Sequence, residues 1–200
     1  MYKARIVFLS VAAACGYGVV HDQITVRLCR EYFTVAHLPL FQTRSTTLLA
    51  LYSGVTATAG IGALLGFVLA RVCHAGAYPP CRLSYLFRQV SLLLGIMSVS
   101  AVTMGIVGYC MSHFGVVGFP ARFAAGLPSS QYDRFMAVCF AHWASYFVGF
   151  AGSALLCFRV WTARGRPQAI ALWPRTPFAA ARAILLGLIT AYIIWARFGA

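Results

Sequence analysis

Long apolar runs alternate with short basic stretches along the whole chain. The first run starts at Ile6, behind Lys3 and Arg5. It continues past Val20 into His21-Asp22-Gln23-Ile24-Thr25-Val26, which still reads as helix. The second, from Ser45 to Ala70, carries no charge, and further runs cover 89–111, 135–158 and 178–198. At 1.5 Å of rise per residue, each can cross a hydrocarbon core about 30 Å thick. The pattern predicts an all-α bundle of five transmembrane helices forming one domain over residues 1–200. The spans fall at about 6–28, 45–71, 89–111, 135–159 and 178–198, with an ordered outer segment between the first two. Pro177 falls in the first turn of the fifth span, where its missing N–H costs nothing, and Arg182 reaches back toward the interface. The basic start followed by an apolar run also fits a secretory signal, with Ala12-Ala13-Ala14-Cys15 as a weak lipoprotein cleavage site. A first membrane span is the preferred reading, and whether it is cleaved stays open.

The basic residues orient the bundle. Lys3, Arg5, Arg71, Arg82, Arg88, Arg159, Arg164, Arg166, Arg175 and Arg182 fall on one side. Arg27, Arg30, Arg44, Arg122, Arg134 and Arg197 fall on the other. The richer side is expected to be cytoplasmic, which places the N-terminus inside and the C-terminus outside. Composition agrees with a membrane address. Hydrophobic residues make up 61% and charged residues 10%, against about 45–50% and 25% in soluble domains. The net charge of +13 follows from these basic loops. No basic polar face with interleaved aromatics is present, so nucleic acid is not an expected partner.

Small residues recur every fourth position at Ala50, Gly54, Thr58, Gly62, Gly66 and Ala70, and again at Ala141, Ser145, Gly149 and Ser153. Each set lies on one helix face and lets backbones approach closely, which predicts that spans two and four are interior. The seven cysteines form no CxxC pair, so no zinc-ribbon or thioredoxin-like motif is present. Cys29 and Cys110 are both expected on the outer side, where a disulfide between them is one option.

All three acids, Asp22, Glu31 and Asp133, also fall on the outer side. The segment from His21 to Pro39 holds two histidines, two acids and two arginines. Counting rise along the helices puts His21 about 22 Å above the inner boundary and His142 about 10 Å below the outer one, so the two share a depth. Buried ionisable groups in a membrane are costly and mark candidate sites. His21, His37 and His142 with Asp22 or Glu31 would make a ligand set for zinc, copper or iron. Thr25 and Tyr146 are candidate supporting donors. Adjacent helix positions point about 100° apart, which counts against His21 and Asp22 sharing one ion. The alternative is a structural network in which Asp22 and Glu31 pair with Arg27, Arg30, Arg44 or Arg134 and the histidines hydrogen-bond backbone carbonyls. His113 is a candidate to join the cluster, and His74 with Cys73 and Cys81 is a second place for zinc. No HExxH, HxxxH, GxSxG or phosphate-binding glycine loop occurs. No catalytic residue is therefore assigned, and whether the protein is an enzyme stays open.

The strings His21-Asp22-Gln23-Ile24-Thr25, Glu31-Tyr32-Phe33-Thr34 with His37, 47–51, and Ala141-His142-Trp143-Ala144-Ser145-Tyr146 with Gly149 and Gly152 resemble a group of uncharacterised bacterial polytopic integral membrane proteins. The likeness covers roughly residues 15–160. It implies a multi-pass protein of the bacterial cytoplasmic (inner) membrane and no mechanism. Three functional readings remain: a polar, metal-binding site at the outer membrane face; an accessory subunit that docks a membrane partner or a second copy of itself; and a small transporter, for which the lack of an inverted repeat is unfavourable.

Overall fold

The computed structural model describes residues 1–36, 42–76 and 80–164, and these are helical with short connections. The order is α1 (Tyr2–Leu28), α2 (Arg30–Val35), α3 (Thr46–Cys73), α4 (Leu83–His113), α5 (Ala121–Ala124), a 3-10 turn at Ser129–Gln131, and α6 (Tyr132–Arg164). Among the described residues, four helices are long and apolar enough to cross a membrane: α1, α3, α4 and α6. The expected fifth span at 178–198 lies outside the described residues, as does His37.

The long helices run up and down and group in two pairs, α1 with α3 and α4 with α6, with sparser contact between the pairs. Glycine sets the closeness of the first pair. A Cβ on Gly54 would stand 2.5 Å from the Val19 nitrogen, and one on Gly18 would stand 2.5 Å from the Gly54 carbonyl oxygen. Farther along, a Cβ on Gly66 would stand 2.9 Å from the Val7 Cα. The four-residue stripe of α3 is thus a seam against α1. The seam does not make α3 interior, because Leu48, Ile61, Leu64 and Phe67 on its other faces are exposed among the described residues. In the second pair, a Cβ on Gly108 would stand 2.7 Å from Phe140 and 2.8 Å from the Met136 carbonyl oxygen.

Two apolar cores close the ends of the bundle. One joins Val26, Tyr32, Phe33, Leu49, Phe135 and Val138. The other joins Ile6, Leu69, Cys73, Cys81, Leu86 and Val160. At this second end the Tyr2 hydroxyl donates to the Cys81 carbonyl oxygen. Lys3, Arg5, Arg71, Arg82, Arg88, Arg159 and Arg164 gather there by the order of the helices. The three acids gather at the opposite end, beside α2. Between the two cores, the gap between the helix pairs holds a cavity of about 480 Å³.

Candidate functional site

The site forms where α1 faces α6, just beneath the core that contains α2. α1 supplies His21 and Asp22, and α6 supplies His142. Each of the three offers a ligand atom, and these atoms lie within 4.8 Å of one another. Asp22 and His142 are buried, at 5% and 3% exposure. The 100° offset between His21 and Asp22 does not keep them apart, because His142 enters from the facing helix between their two directions and meets both.

The hydrogen bonds of His142 define its protonation. Its Nδ1 lies 2.9 Å from the Val138 carbonyl oxygen. A carbonyl only accepts, so Nδ1 carries the proton. In a neutral ring Nε2 is then a bare lone pair, and it stands 3.3 Å from Asp22 Oδ1. Two acceptors face each other in a buried place, an arrangement that calls for a proton or a cation between them. The third member has a related need: His21 Nε2 is buried with no hydrogen-bond partner among the described residues.

Aromatic rings hold the imidazoles in place. Tyr17, one turn before His21, stacks on it with ring centroids 5.7 Å apart. The Tyr17 hydroxyl and Ser145 Oγ share a hydrogen bond of 2.7 Å that ties α1 to α6. The rings of His21 and His142 meet edge to face at 4.6 Å. α1 ends at Cys29, whose extended backbone (φ −150°, ψ 99°) turns the chain into α2. That turn sets Tyr32 at 4.7 Å and Phe33 at 5.6 Å from the His142 ring. Both side chains are 6% exposed and roof the site on the α2 side. Burial pushes the phenol of Tyr32 well above its ordinary range, so it stays neutral.

The other expected members fall elsewhere. Glu31 is not in the three-residue group; its Oε2 accepts the Cys29 thiol at 3.5 Å. Burial pushes that thiol up to about 12. Cys29 and Cys110 are both unbridged, so they form no disulfide. The Thr25 hydroxyl donates to the His21 carbonyl oxygen at 3.0 Å, which braces the backbone of His21 rather than a ligand. Tyr146 lines the cavity below His142, with the rings 6.1 Å apart. His113 pairs with Asp133 at 3.1 Å and stands apart from the group. His74 Nδ1 bonds the Ala70 carbonyl oxygen at 2.8 Å, and no metal-ligand group forms around it among the described residues. Among the described residues no ion pair joins Asp22 or Glu31 to Arg27, Arg30, Arg44 or Arg134. Arg27 donates to Thr47 Oγ1 at 3.1 Å, and Arg30 to the Thr43 and Arg44 carbonyl oxygens.

The residue pattern does not single out Tyr17, Ser145, Tyr32 and Phe33 as members of a site. The spacing of Tyr17 to His21 is a usable signal, since positions four apart share a helix face. Ser145 sits on the small-residue stripe of α6, where packing accounts for it. Tyr32 and Phe33 depend on the turn at Cys29, which no proline or glycine announces. No family model, no curated protein and no solved structure matches this chain.

Proposed function

We propose that this membrane protein is a metalloprotein in which His21, Asp22 and His142 bind one divalent transition-metal ion. The observation that carries the reading is the buried His142–Asp22 contact: one ring nitrogen is spent on Val138, and the other stands 3.3 Å from a carboxylate oxygen, where in the neutral ring it is free to share a cation with it. A bound cation satisfies both atoms and gives the orphaned His21 Nε2 a partner. A ring N–H held by a backbone carbonyl is the usual arrangement of a ligating histidine, since it fixes the tautomer and aims the free nitrogen. Two imidazoles and a carboxylate suit zinc, copper or iron and leave coordination open on the cavity side. Glu31 is not part of this set.

The open side gives the site a chemical use: an ion held by three protein ligands can polarise a substrate oxygen or activate a bound water. The basic end of the bundle is assigned to the cytoplasm, so the site opens near the outer face of a bacterial cytoplasmic membrane. The lipid bilayer is the surrounding partner, and nucleic acid has no role.

Elemental analysis of protein purified in mild detergent, without chelator or nickel resin, tests the reading. About one zinc, copper or iron per chain is expected, and His142→Ala should lose it. Full metal content in His142→Ala, or no metal in the wild type after incubation with each ion, overturns the proposal. The contact is then a buried ion pair, and the protein is better sought as an accessory subunit through its co-purifying partners.

A further inference from the structure

The cavity that begins at His21, Asp22 and His142 continues down the bundle. It runs between the two helix pairs as far as Ser10 on α1 and Cys157 on α6. The stretch of α1 from His21 to Ser10 measures about 16 Å at 1.5 Å per residue. One leaflet of acyl chains is about 15 Å deep, half of the hydrocarbon core. The volume of about 480 Å³ lies within the roughly 300–1,000 Å³ of sites that enclose one small ligand.

The chemistry of the wall is graded. The polar atoms concentrate at one end, where the His–Asp group, the Tyr17–Ser145 pair and Tyr146 lie. Farther down, Ala13, Leu65, Leu94 and Met97 line it. Two of the hydroxyls met there are spent on their own helices: Ser10 donates to the Ile6 carbonyl oxygen and Thr58 to that of Gly54. The two apolar cores seal the ends. Among the described residues the opening is sideways instead: Ile61 and Leu64 of α3 and Phe150 of α6 line the cavity and are 49%, 63% and 73% exposed on the bundle flank. These three side chains make the entrance apolar.

We propose that the cavity takes the single acyl chain of a membrane lipid, with an oxygen of its polar head against the His21–Asp22–His142 group. The head contact rests on the metal reading; the seat for the chain rests on the shape and lining of the cavity. A fatty acid and a lysophospholipid share this chemistry, one chain under an oxygen-bearing head.

Native mass spectrometry of the full chain with oleate, and separately with oleoyl lysophosphatidylglycerol, tests the proposal, with metal content measured on the same samples. Ala13→Trp fills the lower cavity about 12 Å along α1 from His21, and Ala57→Trp fills it from the exposed face of α3. Neither position is one of the three ligands. The wild type is expected to hold one equivalent of at least one probe. Each tryptophan variant should bind it at least tenfold more weakly while keeping its metal. Uptake of oleate alone identifies a carboxylate head, and uptake of the lysophospholipid alone a phosphate head. Metal-loaded wild type that binds neither probe overturns the proposal, and so does wild-type affinity in a metal-retaining tryptophan variant. Metal-free protein that still binds a probe in a tryptophan-sensitive way keeps the chain seat and removes the metal reading.

Discussion

Replacing Asp22 with asparagine separates a bound cation from a simple ion pair. The amide keeps the shape of the side chain and removes its charge, so the ion loses its anionic ligand. Ligand binding stabilises the folded state by RT ln(1 + [L]/Kd), about 2.7 kcal/mol when the free ion stands at a hundred times Kd. For a chain of this size, 1 kcal/mol moves the melting temperature by about 2–4 °C, so saturation raises Tm by roughly 5–11 °C. In Asp22→Asn that increment should vanish. Any remaining change comes from the altered His142–Asp22 contact and does not depend on added metal. The assay is thermal unfolding in detergent with EDTA or with a series of zinc, copper and iron concentrations. Wild type should melt at a metal-dependent temperature and Asp22→Asn at a metal-independent one. Equal metal-induced shifts in both proteins would refute the reasoning, because the carboxylate would then take no part in binding.

Glu31→Gln should leave metal content unchanged in elemental analysis, since Glu31 is held by Cys29 outside the three-residue group. Gly54→Val should destabilise the bundle by more than the about 1–3 kcal/mol of ordinary overpacking, because the added atoms meet the Gly18 backbone rather than a movable side chain. Gly60→Ala, with nothing within 4 Å of the added carbon, should be neutral or gain about 0.5–1 kcal/mol; thermal unfolding of both variants checks the contrast. Cys29 should resist maleimide at pH 8 and gain reactivity only as pH climbs toward about 12, since a raised thiol pKa keeps the thiolate scarce below it. The exposed Cys110 should label readily, and mass spectrometry of the labelled peptides distinguishes the two.

The long helices α1, α3, α4 and α6 are legible in the sequence because each carries a long apolar run, uncharged throughout in α3, α4 and α6 and continued past Asp22 in α1. Their ends are not. α4 begins at Leu83 rather than 89, and α6 runs from Tyr132 to Arg164, since hydropathy marks the apolar window and not the helix that overruns it. Depth counting along α1 and α6 brings His21 and His142 to one level, and the structure joins them at 4.6 Å. Helix geometry alone argues against Asp22 beside His21, because it considers one helix and not the side chain arriving from another. Glu31 enters the expected ligand set for its charge and its place in the sequence. Its actual partner follows from the extended backbone at Cys29, a conformational choice with no residue-type signature. The α3 stripe is a packing seam, as its spacing predicts, but one seam does not bury a whole helix.

The division into two close-packed helix pairs gives the three ligands a mechanical role. Within the first pair, backbone lies against backbone through Gly18 and Gly54, and in the second Gly108 lies against the Met136 carbonyl oxygen. Between the pairs the contacts are sparser and the cavity intervenes. His21 and Asp22 ride on the first pair and His142 on the second. An ion held by all three therefore ties one pair to the other at the polar end of the cavity. By reciprocity, any factor by which a guest between the pairs changes the affinity of the polar end is also the factor by which occupancy of the polar end changes the affinity for the guest.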